Sequence, residues 1–304
     1  MARALIIGSR GSKLALWQAE QARERLRLLN PQIDVHIEII RTTGDVKTDP
    51  LSVIGGKGVF TKELEDALLD GRIDIAVHSL KDLPTTLPAA LSVSAICERE
   101  DARDALVLRS DLKAEDSSLF NLPKDAVVGT SSQRRLAQLK ALRGDVVVND
   151  LRGNVDTRIR KLDEGQYDAV ILASAGLLRL GLLNRISARI SMSEMLPAVG
   201  QGAIAIETRS DDEFAVETTS GLDHHETRLA CLAERSFLRS LGGGCQLPIA
   251  AHAILDQDLL MLEGLVAKPD GSEIWRDLLS GPTDQAEEIG SALAVLLMER
   301  GALL

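Results

Sequence analysis

The segment "TKELEDALLDGRIDIAVHSLKD", residues 61–82, indicates the fold more clearly than any other stretch of the chain. Its first half is typical of a helix that ends at Gly71, since glycine readily takes the left-handed conformation that closes a helix. The short apolar run "IDIAVHS" that follows is typical of a buried strand. A helix followed at once by a buried strand favours a βαβ arrangement and a parallel sheet.

The same alternation continues on both sides of this segment. The strand patterns "ALIIGS" and "DVHIEII" come before it, and "LSVSAIC" comes after it. Beyond the charged stretch "EREDARD" the pattern restarts with strands "AVVGTS", "DVVVNDL" and "DAVILAS", each followed by a helical segment. Two successive blocks of this kind predict two α/β domains with mostly parallel sheets.

The last third of the chain has a different pattern. A helix is predicted over residues 227–241, followed by strands "PIAAHAIL", "LLMLEGLVA" and "EIWRDLL" and a final helix, which together favour a small α+β domain. The segment "LPAVGQGAIAIETR" precedes it and is a candidate to complete the first sheet. The predicted domains are residues 1–101 with 198–218, residues 102–197, and residues 219–304.

An acidic composition with few aromatic residues argues against polyanionic partners. The net charge is −10 and aromatic residues make up 2% of the 304 residues, so neither charge steering nor base stacking favours nucleic-acid binding. No apolar stretch approaches the roughly 18 residues of a membrane span. The three cysteines, Cys97, Cys231 and Cys245, lack the spacing of a zinc site. We therefore expect a cytoplasmic protein without a bound metal, nucleic acid or membrane, and a monomer because nothing demands assembly.

Polar and basic residues gather where several predicted strands end. Ligands of open α/β sheets bind at this edge, and a helix N-terminus with hydroxyl groups is suited to an anion. The candidates are Arg10 and Ser12 in "GSRGS", Lys81 and Asp82 in "HSLKD", Thr130, Ser131, Ser132, Arg134 and Arg135 in "GTSSQRR", and Arg152 and Arg158 in and after "NDLRGN".

Each of these loops also has a purely structural interpretation. A serine at a helix start is usually a cap, and an arginine on a helix usually faces solvent. Arg134 and Arg135 are neighbours on a helix, so we expect at least one of them to make a different contact. The joint pattern in an acidic chain nevertheless favours a ligand with several carboxylates, and no phosphate-loop motif is present.

Asp82 is the natural catalytic candidate. A carboxylate at a strand end beside Lys81 can stay ionised and stabilise a developing positive charge. A capping role in the loop "KDLPTT" is an equal alternative. His224 and His225 suggest a zinc site only weakly, because adjacent histidines point to different faces of a helix, and a helix-start role is favoured.

The stretch "RSLGGGCQLPI", residues 239–249, places three glycines before Cys245. Small residues leave room for a bulky group near the sulfur, but the sequence leaves a tight turn, a nucleophile and an attachment point open. The loop "GGKG", residues 55–58, is interpreted as a lid or connector, and the role of Lys57 stays unassigned.

Taken together, these motifs closely resemble one enzyme family, porphobilinogen deaminase, also called hydroxymethylbilane synthase. The resemblance runs from residue 4 to about residue 276. It rests on "GSRGSKLALWQA", "RTTGD", "GGKGVFTKELEDALLDGRIDIAVHSLKDLPT", "CEREDARDAL", "VVGTSSQRRLAQL", "LRGNVDTRIRKLDEGQYDAVILASAGLLRLGL", "LPAVGQGAIAIE", "LDHHETR" and "GGGCQLPIAAHA".

The resemblance implies two periplasmic-binding-protein-like α/β domains with an active cleft between them, plus a small C-terminal α+β domain. It implies a dipyrromethane cofactor joined to Cys245 by a thioether, porphobilinogen and the growing polypyrrole as partners, and a role in porphyrin and heme biosynthesis. Asp82 would be the catalytic carboxylate. Cofactor contacts would come from Lys81, Asp82, Thr130, Ser131, Ser132, Arg134 and Arg135, and substrate contacts from Arg10, Ser12, Arg152, Arg158 and Arg179.

Two other classes of function are compatible with parts of the pattern. A non-enzymatic protein that binds or senses small carboxylates would use the same two α/β blocks without any covalent adduct. A cysteine hydrolase or transferase would act through Cys245 and need a histidine near it. Only the deaminase interpretation predicts a permanent dipyrrole on one cysteine.

Overall fold

A computed structural model describes residues 4–43, 58–112, 117–243 and 247–302. The chain divides into two compact units. One is formed by Met1–Glu100 and Ala203–Arg228, and the other by Asp101–Gly202 and Leu229–Leu304. We refer to them as the first and second unit.

Strands and helices alternate through most of the chain. The strands are β1 (Leu5–Ser9), β2 (Val35–Ile39), β3 (Ile75–Ser79), β4 (Leu91–Ile96), β5 (Asp104–Leu108), β6 (Val127–Gly129), β7 (Val147–Asn149), β8 (Ala169–Ala173), β9 (Ala188–Arg189), β10 (Ile204–Arg209), β11 (Ile249–Asp256), β12 (Leu259–Ala267) and β13 (Ile274–Pro282). The helices are α1 (Lys13–Leu29), α2 (Lys62–Leu69), α3 (Gln133–Leu142), α4 (Val155–Asp163), α5 (Ser174–Arg179), α6 (Glu213–Ser220), α7 (His225–Ser240) and α8 (Ala286–Glu299).

The first unit is built on a five-stranded sheet in the order β2-β1-β3-β10-β4. Strands β1, β2 and β3 are parallel, whereas β10 runs antiparallel to both of its neighbours. Helix α1 packs on one face through residues such as Leu26, and α2 packs on the other through Leu64 and Leu68. Strand β10 lies within the segment that the sequence marked as a candidate to complete this sheet.

The second unit contains a sheet of the same plan, in the order β7-β6-β8-β5-β9. Strands β6, β7 and β8 are parallel, and β5 is antiparallel to β8 and β9. Leu139 of α3 belongs to the core on one face, and Ile159 and Leu162 of α4 belong to the core on the other. Strand β5 is not predicted from the sequence, because a five-residue apolar run directly after a charged stretch gives no clear periodicity.

The C-terminal part of the second unit forms a three-stranded antiparallel sheet, β11-β12-β13. Phe237 of α7 and Leu293 of α8 are fully buried and lie in one core with residues of this sheet. The fold class is therefore α/β with two five-stranded sheets and a small C-terminal α+β part, as predicted. In the described ranges, no helix is long and apolar enough to cross a membrane.

Helix α7 ends at the glycine-rich stretch that the sequence analysis singled out. The Gly242 N–H donates to Arg239 O and the Gly243 N–H donates to Leu238 O, with Gly242 at φ +65°. This pair of bonds is a Schellman motif, which requires a left-handed residue where glycine is favoured. A Cβ on Gly243 would lie 2.5 Å from a methyl carbon of Ile249. Gly242 and Gly243 therefore serve helix termination and packing, rather than only clearing space around a thiol.

Candidate functional site

In the first unit, the loop after β1 carries Arg10 and Ser12. The Ser12 hydroxyl caps α1 by accepting a hydrogen bond from the Ala15 N–H at 3.3 Å. The Arg10 guanidinium lies 4.3 Å from the centre of the Phe60 ring, a cation–π contact. The capping interpretation of Ser12 thus holds, and Arg10 is anchored by an aromatic ring at the edge of the sheet.

The loop after β3 forms one turn of 3₁₀-helix, Leu80–Asp82, that presents Lys81 and Asp82. Leu80 and Leu83 are buried on either side of the turn, and the Leu80 N–H donates to Ala203 O at 3.0 Å. Both Lys81 and Asp82 are half-buried. Buried leucines thus fix the turn while the two charged side chains keep access to solvent.

Gln18 is a residue of this region that the sequence reasoning missed. It lies on α1, is 2% exposed, and its Nε2 donates to the Ser79 hydroxyl at 2.9 Å. Because Ser79 is the last residue of β3, this bond ties α1 to the start of the turn. A polar residue at a buried helical position in "KLALWQAEQA" was the signal that could have identified it.

In the second unit, the loop after β6 carries Thr130, Ser131 and Ser132. The Thr130 hydroxyl accepts from the Ser132 N–H at 3.2 Å, the Ser132 hydroxyl caps α3 by accepting from the Arg135 N–H, and the Ser131 hydroxyl donates to Leu151 O. A hydroxyl that accepts a bond still has its own hydrogen to donate. Thr130 and Ser132 therefore have the donor capacity to bind an acidic group.

Arg134 and Arg135 converge on one buried carboxylate, Asp104 of β5. Arg134 Nη1 lies 2.7 Å from Asp104 Oδ2, and Arg135 Nη2 lies 2.7 Å from Oδ1. Gln201 Nε2 also donates to Oδ1, at 2.9 Å. Our expectation that the two arginines make different contacts was wrong, because β5 places its carboxylate beside the first turn of α3, where both long side chains reach it.

This cluster carries an excess of positive charge. Asp104, Arg134 and Arg135 are all at most 5% exposed, so two guanidinium groups face one carboxylate. Burial works to raise the pKa of Asp104, but the charges of Arg134 and Arg135 outweigh it and hold that pKa far below its ordinary range. The cluster therefore stays ionised at any physiological pH and leaves a net positive charge beneath the loop Thr130–Ser132.

Three further arginines lie at the same edge of the second sheet. Arg152 Nε donates to Asp150 Oδ2 at 2.7 Å, Arg158 Nε donates to Gly153 O at 2.7 Å, and Arg179 Nη2 donates to Gly202 O at 2.6 Å. Strands β6, β7 and β8 are parallel, so the loops at their carboxyl ends share one edge. The structure thus brings the predicted basic residues of this unit to one side of the sheet.

Two residues named in the sequence analysis, Cys245 and Lys57, lie outside the described residues. His225 is the first residue of α7, and His224 Nδ1 lies 2.9 Å from the Thr227 hydroxyl, which supports the helix-start interpretation. Within the ranges the structure covers, no group of three or more histidine, cysteine or acidic side chains is arranged to hold a metal ion.

The fold and these loops define a class of protein: an α/β protein with two five-stranded sheets of the same plan, whose strand ends carry hydroxyl groups and arginines, and a small C-terminal α+β part. The family model "Porphobilinogen deaminase, dipyromethane cofactor binding domain" matches residues 5–217, and "Porphobilinogen deaminase, C-terminal domain" matches residues 228–299. The chain belongs to the porphobilinogen deaminase family.

Two porphobilinogen deaminases agree with this assignment. The porphobilinogen deaminase of Chromobacterium violaceum is 50% identical over 299 residues, which cover 98% of this chain and 95% of the relative. That of Synechococcus sp. strain RCC307 is 51% identical over 302 residues, covering 99% and 95%. The VFT2 domain of Bordetella pertussis BvgS matches with 16% identity and a TM-score of 0.43, over 72% of this chain and 85% of the domain.

The family assignment confirms several predictions from the sequence. The resemblance to porphobilinogen deaminase, the enzymatic class of function and the dipyrromethane cofactor all hold. A non-enzymatic protein that binds or senses carboxylates is not favoured.

Proposed function

We propose that this chain joins four porphobilinogen molecules head to tail, with loss of ammonia at each step, and releases hydroxymethylbilane by hydrolysis. The observation that carries the structural part of this proposal is the loop Thr130–Ser132 above the buried cluster of Asp104, Arg134 and Arg135. The substrate and product carry an acetate and a propionate on every pyrrole, so charge accumulates as the chain grows. A site for them needs fixed cations and hydroxyl donors.

The donor set of the second unit fits the acidic side chains of a dipyrromethane. Thr130 and Ser132 have hydroxyl hydrogens to donate, and Arg134 and Arg135 supply a net positive charge next to them. We further propose that Lys81 and Asp82 contact the cofactor and that the Cys245 thiolate holds it through a thioether. When bound, the dipyrromethane supplies the free α-carbon to which the first substrate ring is joined.

Asp82 is the proposed catalytic residue. Loss of ammonia from the aminomethyl arm of porphobilinogen leaves a cationic ring, and a carboxylate against the pyrrole N–H would stabilise it. A charge-assisted hydrogen bond of this kind contributes on the order of 1.5–3 kcal/mol. The leaving amine takes up a proton and the ring later returns one, so the same carboxylate can act in every cycle.

The remaining basic residues are proposed to bind substrate carboxylates. Arg152, Arg158 and Arg179 lie at the loop edge of the second sheet, and Arg10 and Ser12 lie at the corresponding edge of the first. Arginine suits this role because its planar fork can bind a carboxylate through two parallel bonds.

We propose that the chain has three domains: residues 1–101 with 198–218, residues 102–197, and residues 219–304. We also propose that the protein is a monomer located in the cytoplasm. The separate core that α7 and α8 form with β11, β12 and β13 supports a distinct C-terminal domain.

The test combines intact mass with turnover. Purified protein should weigh more than its polypeptide by one dipyrromethane, Cys245→Ser should lose that increment, and Cys97→Ser should keep it. Asp82→Asn should lower kcat by at least about 100-fold, the lower range for a positioned acid–base group. The control is Asp70→Asn, an exposed carboxylate of the same unit, which should leave the rate unchanged. A bare polypeptide mass at full activity would overturn the proposal.

A further inference from the structure

Asp150 and Arg152 form an ion pair at the loop edge of the second sheet. Arg152 Nε donates to Asp150 Oδ2 at 2.7 Å, and the two side chains are 31% and 59% exposed, with Asp150 the more exposed. Both residues follow β7 directly, in the turn that leads to α4. The carboxylate therefore uses one of the donors that a substrate carboxylate at Arg152 would need.

The backbone of Asp150 is held firmly although its side chain is exposed. The Tyr167 hydroxyl donates to Asp150 O at 2.6 Å, and Tyr167 is 8% exposed. A Cβ on Gly129 would lie 2.8 Å from the Tyr167 ring, so β6 packs closely on this tyrosine. Gly129 in turn pairs with Asn149, the residue before Asp150. The carboxylate is thus presented from a fixed point beside the loop Thr130–Ser132.

The surroundings of Asp150 favour its ionised form. Burial works against ionisation, but the hydrogen bond from Arg152 and the charges of Arg152 and Arg158 outweigh it, so the pKa of Asp150 lies below its ordinary value. At neutral pH the group is therefore an anion among the residues proposed to bind anions.

We propose that Asp150 is a specificity-determining residue that competes, as an internal carboxylate, with the carboxylates of the substrate for Arg152. This inference rests on the proposed role of Arg152 in substrate binding. An exposed ion pair is weak and is displaced at little cost by a ligand that also engages a second cation. A monocarboxylate has no second contact and gains little from displacing Asp150, whereas a pyrrole with an acetate and a propionate can engage Arg158 as well.

The first measurement is the KM for porphobilinogen of Asp150→Asn. We expect it to fall about two- to five-fold, the range that an exposed ion pair accounts for, with kcat changed less. The matched control is Asp145→Asn. Asp145 is exposed, lies in the same unit and pairs with Arg143, which is two residues away, as Arg152 is from Asp150. The control should leave KM unchanged, whereas an equal fall in both variants would mean a general charge effect and overturn the proposal.

The second measurement is inhibition by acetate, a monocarboxylate probe. Acetate should inhibit Asp150→Asn at a lower concentration than it inhibits the wild-type enzyme, because the internal competitor is gone. Equal inhibition of the two, or a KM for Asp150→Asn that is unchanged or raised, would contradict competition at Arg152.

A third variant separates failure of this inference from failure of the proposed function. Arg152→Gln should raise KM, and in that background Asp150→Asn should no longer lower KM. If Arg152→Gln leaves KM unchanged, the proposed substrate role of Arg152 is wrong. If Arg152→Gln raises KM while Asp150→Asn alone does nothing, only the competition is wrong.

Discussion

Strands β5 and β10 occupy the same place in two sheets of the same plan, and each buries one carboxylate. Asp104 of β5 is paired with two arginines and a glutamine side chain. Glu207 of β10 is paired with His78, whose Nε2 lies 2.9 Å from Glu207 Oε2, and its other oxygen has no hydrogen-bond partner in the part of the chain that the structure describes. Both carboxylates are fully buried, so the difference lies in their partners.

The two carboxylates also differ in their distance from the loop edge. Asp104 pairs with Ala173, the last residue of β8, and so lies where the loops begin. Glu207 pairs with Ala76, inside β3. Arginine cannot lose its proton, so the β5 cluster is a permanent positive support for the loop above it. His78 and Glu207 instead belong to the neighbouring strands β3 and β10 and meet inside the first sheet.

The largest expected effect comes from Asp104→Asn. Removing the carboxylate leaves two buried guanidinium groups without a counter-charge, which typically costs about 3–5 kcal/mol. The free energy of unfolding should fall by that amount in urea titrations, and less dipyrromethane should be retained by intact mass. Glu164→Gln, which breaks the exposed pair of Arg160 and Glu164 in the same unit, is the control and should leave the urea midpoint unchanged.

Glu207→Gln should have a smaller effect and so sharpen the comparison. The glutamine amide can still form a hydrogen bond with the His78 ring nitrogen, so one bond is kept and the loss should be about 1–3 kcal/mol. Urea midpoints measured side by side give the order of the two variants. A Glu207→Gln loss equal to or greater than that of Asp104→Asn would break the comparison.

The smallest effect is expected at Glu65 of α2. Burial, followed by the nearby charge of Glu207, raises the pKa of Glu65 above its ordinary value of 4.5. The folded chain therefore binds this proton more tightly than the unfolded chain, and the contribution to stability falls as pH rises from about 4.5 through the raised pKa. Glu65→Gln should increase stability at pH 7 by less than about 1 kcal/mol, because the side chain is only partly buried.

The pH dependence of that gain is its test. Thermal unfolding of Glu65→Gln and wild type should differ at pH 7 and coincide below pH 4.5. A gain that persists unchanged at acid pH would assign it to packing rather than to the carboxylate.

Sequence patterns predicted the elements that carry a strong local signal. The helix ending at Gly71, the buried strand before Ser79 and the helix start at His225 lie where expected. Strand β5 escaped detection because "DALVL" is short and buried along its whole length, which removes any alternation. Asp104 was missed with it, and so was the shared partner of Arg134 and Arg135.

Among the site residues, too, some roles could be predicted from sequence and others could not. Ser12 and Ser132 could be identified as helix caps from sequence, and both cap a helix. The helical position of Gln18 could have marked the residue as buried, but nothing local identified its partner Ser79, and the pair of Asp150 and Arg152 had no signal either. The partner of Gln18 lies on a strand 61 residues away. Asp150 and Arg152 are only two residues apart, but they pair only because the turn after β7 brings both side chains to one side.

Periodicity, caps and motifs act over a few neighbouring residues, so the succession of strands and helices, the family and the residue types at the strand ends could be predicted from sequence alone. Which of these side chains are partners depends on the tertiary fold. Two arginines expected to diverge meet one aspartate because an antiparallel strand from elsewhere in the chain enters the sheet beside them. Charge pairing in a buried site depends on distances across the fold, and local sequence does not encode those distances.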